Sequence, residues 1–182
     1  MDNKTVIYLV RHGSIPLKDG EAREKNPSLD VKGKSQAKYL ANEFYNSNEK
    51  IDIIFTSTMN RAIETAEIIS SKIKIKVNRL DSLSEFSKSV FSDSVFSFNF
   101  WKHYIKYKNS LRTFNRIDKK HKGKTILFAV HGQVIKGIVG NKLKIPFRDR
   151  IKLSYNHCHI TRLTFKNDKL MTLSYFNSKN IL

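Results

Sequence analysis

The chain has 182 residues, 40% of them apolar and 27% charged, enough to bury the core of one domain and too well mixed for a disordered or low-complexity polymer. Its 34 Lys and Arg against 16 Asp and Glu leave +18, unevenly spread: residues 1–60 hold 9 basic and 8 acidic groups, and the remaining +17 falls in 61–182. One cysteine, Cys158, excludes an internal disulfide, and no run approaches the ~20 apolar residues of a membrane span, so a cytoplasmic protein without a membrane partner is expected.

In chain order, residues 5–10 are nearly all apolar and read as a buried strand that ends at Arg11-His12-Gly13. A polar loop with Pro16, Gly20 and Pro27 fills 14–30. Ala37, Leu40, Ala41 and Phe44 then recur at helical spacing within 31–46. Residues 51–55 predict a second buried strand, and 60–70 a helix with Ala62, Ile63, Ala66 and either Ile69 or Ile68 inward. The alternation Lys-Ile-Lys-Ile-Lys-Val over 72–77 predicts a strand with one wet face.

An irregular piece, about 86–123, begins rich in Ser and Phe and becomes a basic helix with Trp101, Tyr104, Ile105 and Leu111; it is expected as a short cap insertion over the sheet. Residues 125–130 predict another buried strand, ended by His131-Gly132, with a helix over 133–142. A closing hairpin is expected from 158–165 and 170–176. The whole, 1–182, reads as a single α/β domain. Its expected form is three-layer and doubly wound, a mainly parallel sheet with helices on both faces.

His12 and His131 each follow a buried strand and precede a glycine. In an open α/β sheet the carboxyl ends of the strands form the rim where ligands bind. If strands 5–10 and 125–130 are neighbours, both imidazoles reach one site. Arg11 and Arg61, the latter at the start of a helix that follows a strand, share that rim. Two His and two Arg make an anion pocket with a nucleophile. Imidazole can attack phosphorus when its other nitrogen is held by a backbone carbonyl, and guanidinium forks suit the equatorial oxygens. A protonated His131 would add a third cation, so neither a metal nor a cofactor is required. A leaving alkoxide still needs a proton from a carboxylic acid of raised pKa.

Leu9-Val10-Arg11-His12-Gly13 resembles the signature of the histidine phosphatase, or phosphoglycerate-mutase-like, superfamily. Residues 29–37, from Leu29-Asp30 to Gln36-Ala37, are similar to its Leu-Thr-x-x-Gly-x-x-Gln-Ala helix start. Residues 55–66, with Arg61-Ala62 and Thr65-Ala66, resemble its Ser-Pro-x-x-Arg-Ala-x-x-Thr-Ala segment. Leu83-Ser84-Glu85 resembles its Leu-x-Glu, and 130–136 its Ser-His-Gly-Gly-x-Ile-Arg. The resemblance implies His12 as the phosphorylated nucleophile. It implies that Arg11, Arg61, His131 and the amide near Gln133 hold the phosphate, and that Glu85 protonates the leaving oxygen. The chain departs from the pattern at Ser14, at Thr58, where Pro is usual, and after Glu85, where Phe86-Ser87-Lys88 replaces a Gly-x-x-Glu-Gly stretch.

The expected function is a metal-independent phosphatase for a small phosphomonoester, acting through a phosphohistidine. A protein-phosphohistidine phosphatase and a phosphoglycerate-mutase-like enzyme remain as alternatives. So does a catalytically weak binding module that docks anions on its basic surface. Substrate and oligomeric state are open. His157-Cys158-His159 is read as strand-edge residues, not a metal site, because no second Cys or His cluster accompanies it. His103 and His121 are read as solvated. Nucleic acid binding through the lysines with Trp101, Tyr104 and Tyr107 is weighed and set aside for want of a specific motif. Lys outnumbers Arg 25 to 9, which a coding bias explains as readily as a polyanionic partner does.

Overall fold

A computed structural model describes residues 4–16, 26–47, 49–92, 96–167 and 169–181. Six strands form one sheet: β1 (Lys4–Arg11), β2 (Ile53–Thr56), β3 (Val77–Arg79), β4 (Thr125–Val130), β5 (Ile160–Lys166) and β6 (Lys169–Ser178), in the order β3-β2-β4-β1-β5-β6. Pairings within β3-β2-β4-β1 are parallel, whereas β5 and β6 close the edge as an antiparallel hairpin. Residues 17–25, which include the Gly20 of the expected polar loop, and Asp168 of the expected hairpin turn lie outside the described residues.

Alternation along β1 explains the layers. Tyr8 and Val10 point to one face, where helices α1 (Val31–Asn46) and α2 (Asn60–Ile73) bring Leu40, Phe44, Ala66 and Ile69. Ile7 and Leu9 point to the other, under α3 (Phe98–Lys120) and α4 (Gly132–Lys142), which supply Phe114, Ile117, Val134 and Ile138. Each strand of the central pair is therefore apolar on both sides, as a covered parallel sheet requires. The three-layer, doubly wound expectation matches.

Two expectations differ in detail. The strand expected over 72–77 begins only at Val77, because α2 continues to Ile73 and reverses at Lys74, whose φ of 62° is left-handed. Ile73, Ile75 and Val77 all pack on the same apolar cluster from a helix end, a link and a strand. An alternating pattern was thus satisfied without a continuous strand. The segment expected as a cap insertion also does more than cover the site. The second half of α3 packs on the sheet, with Phe114 and Phe128 rings 5.5 Å apart. Its first half, with a 3-10 turn at Lys88–Phe91, builds an aromatic layer of Phe86, Phe91, Tyr104, Tyr107 and Phe147.

Candidate active site

Strands β1 and β4 pair in a register that sets Arg11 opposite Val130, so the next residue of each leaves the sheet at the same rim. The His12 amide donates to Val130 O at 2.9 Å, which ties the two exits together. Both imidazoles are buried, with ring centroids 5.2 Å apart. The convergence expected across 119 sequence positions is real.

Local contacts orient His12. Its Nδ1 lies 2.8 Å from the Gly13 carbonyl, which assigns the proton to Nδ1 and leaves the Nε2 lone pair facing the site. The Gly13 amide in turn donates to Thr65 Oγ1 at 3.1 Å. A side chain at Gly13 would put a Cβ only 2.5 Å from Gly33 O, so the close approach of the loop to α1 requires glycine. Asp30 caps α1 by accepting from the Gly33 amide, and also accepts from Ser14 Oγ at 2.8 Å; Gln36 Oε1 accepts from the Ser14 amide at 2.9 Å. The 29–37 motif therefore clamps the segment that follows the histidine.

Arg61, in the first turn of α2, is buried and bridges two groups. Its Nε donates to His12 Nε2 at 3.2 Å and its Nη2 to Glu85 Oε2 at 3.1 Å. Glu85 follows a 3-10 turn at Asp81–Leu83; its Oε1 accepts from the Gln133 amide at 3.3 Å, and Oε2 lies 3.5 Å from His131 Nδ1. His131 stands at the N-terminus of α4, with Nε2 2.7 Å from Ser57 Oγ. Arg11 Nη1 donates to the Tyr155 carbonyl at 2.5 Å. Gln133 is half-buried, and its buried Oε1 has no hydrogen-bond partner among the described residues. All six residues singled out from the sequence thus lie at this rim, around a seat that the helix N-termini and two guanidinium groups make positive.

Burial governs the protonation of the pair. His12 is held well below its ordinary pKa of 6.5 by burial and then by His131, with Glu85 and the Gly13 carbonyl opposing. Burial, then Arg61 and Arg11, does the same to His131. Burial and the two guanidinium groups thus disfavour the protonated His131 that the sequence suggests as a third cation on the phosphate.

Sequence reading missed His157. It does not sit on a strand: Cys158 has a φ of 52°, and the 157–158 turn precedes β5. That turn brings the His157 ring within 5.4 Å of His12, while His159 Nδ1 folds back on the His157 carbonyl. The two side chains are not a metal pair. Burial and Arg11 lower the His157 pKa to about 4. Ser57 and Thr65 lay inside a recognised motif but had no role until their partners were visible. The solvated readings of His103 and His121 also need correction. The half-buried His103 Nδ1 accepts from the Ser87 amide at 3.2 Å, and half-buried His121 packs 6.0 Å from the Phe55 ring.

Among the described residues, ligand atoms of His12, Glu85 and His131 come within 4.8 Å of one another, close enough to share a metal ion. Arg61 already donates to two of those three groups. A resident guanidinium suits an oxyanion far better than a second cation.

Family comparison agrees with this geometry. The family model of the histidine phosphatase superfamily (branch 1) matches residues 7–95 and 107–178. The chain belongs to that superfamily. A curated relative, the mitochondrial serine/threonine-protein phosphatase Pgam5 of Drosophila mojavensis, is 27% identical over 97% of this chain and 64% of its own length. The chain thus spans under two thirds of that relative. Among solved structures, a mycobacterial glucosyl-3-phosphoglycerate phosphatase superposes with a TM-score of 0.74 at 15% identity, covering 96% of this chain and 99% of that one. A phosphoserine phosphatase of Entamoeba histolytica gives 0.74 at 19%, covering 96% and 98%. At such identities these two show the shared fold.

Proposed function

We propose that the protein hydrolyses a small phosphomonoester of an alcohol, without a metal, through a phosphohistidine on His12. One observation carries the reading: His12 is a neutral imidazole with Nδ1 committed to Gly13 O and Nε2 facing the guanidinium that also holds Glu85. An incoming phosphate dianion replaces His12 and Glu85 as acceptors for Arg61, and Arg11 joins it on the equatorial oxygens. The same negative charge favours uptake of a proton by His131, offsetting the burial that disfavours its charged form.

In the first step the Nε2 lone pair forms an N–P bond as the ester P–O bond breaks, and the Glu85 carboxyl gives its proton to the departing oxygen. In the second, the Glu85 carboxylate takes a proton from water, the water oxygen bonds to phosphorus, and the N–P electron pair returns to Nε2. A carboxyl group held at the phosphate seat favours an ester over a phosphohistidine substrate, because an alkoxide leaves poorly without a proton. The names of the relatives also speak of alcohol phosphates: serine/threonine phosphoproteins and phosphoserine. A cytoplasmic setting is supported by the single, buried Cys158 thiol.

The test is hydrolysis of p-nitrophenyl phosphate in the presence of a chelator, wild type beside His12→Ala, with an acid quench to trap labelled enzyme. Chelator-resistant turnover and an acid-labile phosphoenzyme, both lost in the variant, are expected. Near-normal turnover by His12→Ala would sink the mechanism.

A further inference from the structure

The inward face of α3 is buried through Phe100, Tyr107, Leu111, Phe114 and Ile117, and its outward face is largely exposed. That outward face is divided along its length. Phe98, Trp101 and Ile105, at helical spacing of three and four, are 84%, 51% and 58% exposed. The same stripe continues as Arg112, Arg116 and Lys119, which with Asn115 and Lys120 line a shallow depression. Lys102, Lys106 and Lys108 flank it, all exposed. The one acidic residue of the helix, Asp118, is buried and pairs with Lys142 at 3.5 Å. No negative charge on this helix offsets the seven cations of its exposed side.

We propose that the outer face of α3 docks on an anionic lipid bilayer. Three large apolar side chains standing in water cost free energy that a soluble face ordinarily avoids, and the hydrocarbon boundary of a bilayer relieves it. Cations beside them complement lipid phosphate and carboxylate groups. A second copy of the chain is a poor occupant, since it would set one cationic helix against another. An RNA partner would need a run of stacking platforms, but Tyr107 is buried and Tyr104 packs among Phe100, Trp101 and Phe147, which leaves Phe98 and Trp101 as the exposed rings of the stripe. Ile105 has no flat face for a base. The sequence expectation of no membrane partner rested on the absence of a span. Among the described residues no helix is long and apolar enough to cross a membrane; docking at the interface needs none.

Trp101 is the only tryptophan of the chain and stands within the stripe, so its emission reports the docking directly. Full-length protein is mixed with vesicles of phosphatidylcholine alone or with phosphatidylserine added, and both emission and co-sedimentation are followed. A blue shift and co-sedimentation are expected only with phosphatidylserine, and both are expected to weaken as salt rises. One cation at such a surface is worth roughly a fivefold change in binding, so Arg112→Gln with Arg116→Gln should weaken it about 25-fold. Phe98→Ser with Ile105→Ser should abolish the blue shift. All four positions are exposed and outside the candidate active site, so unchanged circular dichroism and unchanged p-nitrophenyl phosphate hydrolysis establish that the variants are folded. Failure to bind phosphatidylserine vesicles, or binding that both double variants retain, overturns the proposal. Trp101 quenching by a single-stranded RNA with no response to vesicles also overturns it and assigns the face to nucleic acid.

Discussion

Glu85→Gln separates proton transfer from phosphate holding. The substitution keeps the shape and leaves an Oε1 that can still accept from the Gln133 amide, now at 3.3 Å. It removes the carboxylate that Arg61 Nη2 meets at 3.1 Å and the only group able to give a proton to the leaving oxygen in the proposed mechanism. Arg61 is 3% exposed and Glu85 27%, so the lost ion pair leaves a buried guanidinium short of a charged partner at one end. That costs about 1–3 kcal/mol of stability, the range for a buried donor whose partner is weakened. For a domain of this size it appears as roughly 2–4 °C of melting temperature per kcal/mol.

Kinetics carry the sharper number. General acid catalysis contributes about 10²–10⁴-fold, or roughly 3–5 kcal/mol of barrier, to expulsion of an alkoxide, and little to expulsion of a nitrophenolate. Any slackening of Arg61 weakens both substrates alike, because both present the same phosphoryl group. The ratio of the two losses in kcat/KM therefore isolates the proton. Phosphoserine hydrolysis should fall at least about 100-fold further than p-nitrophenyl phosphate hydrolysis. Equal losses would refute the assignment of Glu85 as the acid.

Acid should destabilise the protein through its buried histidines. His12 and His131 lie well below 6.5 when folded and His157 near 4, so below pH 6.5 the unfolded chain binds protons that the native state refuses, and stability falls as pH falls. Each such group adds a slope of up to about 1.4 kcal/mol per pH unit, for His157 between 6.5 and about 4; urea melts at pH 7, 6 and 5 should show the decline, and His157→Asn should make it shallower. Gly13→Ala would push a Cβ against the Gly33 backbone, with its oxygen at 2.5 Å, and force the loop that orients His12 away from α1. A loss of roughly 1–3 kcal/mol in the same melts is expected, together with a fall in kcat greater than any rise in KM; unaltered turnover would show that the Gly13 carbonyl does not set the nucleophile.

How much was legible in the sequence depended on what carries each residue. His12 and His131 could be placed because each ends an apolar strand, and parallel strand ends share a rim whatever the loops do. Arg61 followed by the same logic, in the first turn of the helix after β2. Register did the rest: Arg11 opposite Val130 leaves the two imidazoles no choice but to meet. Glu85 sits in the link after a 3-10 turn and His157 in a turn with the left-handed Cys158, and no periodicity marks where such segments point. Glu85 was reachable only through family resemblance. His157 was not reachable at all, because the strand spacing of 157 and 159 argued for a common face, and Cys158 at a φ of 52° turns the chain out of that pattern. The lowered pKa values share this origin. They arise from burial and from guanidinium groups distant in sequence, and a histidine with a lysine or glycine beside it reads the same whether it is solvated or sealed. Positions set by strand ends are therefore legible from local pattern, whereas positions set by turns wait for tertiary contacts. The residues that the proposed mechanism has hold the phosphate lie on strand and helix ends, whereas Glu85, which it has protonate the leaving group, lies in the link after a 3-10 turn. A rigid sheet rim fits a group common to every substrate, and turns fit the part that differs between substrates.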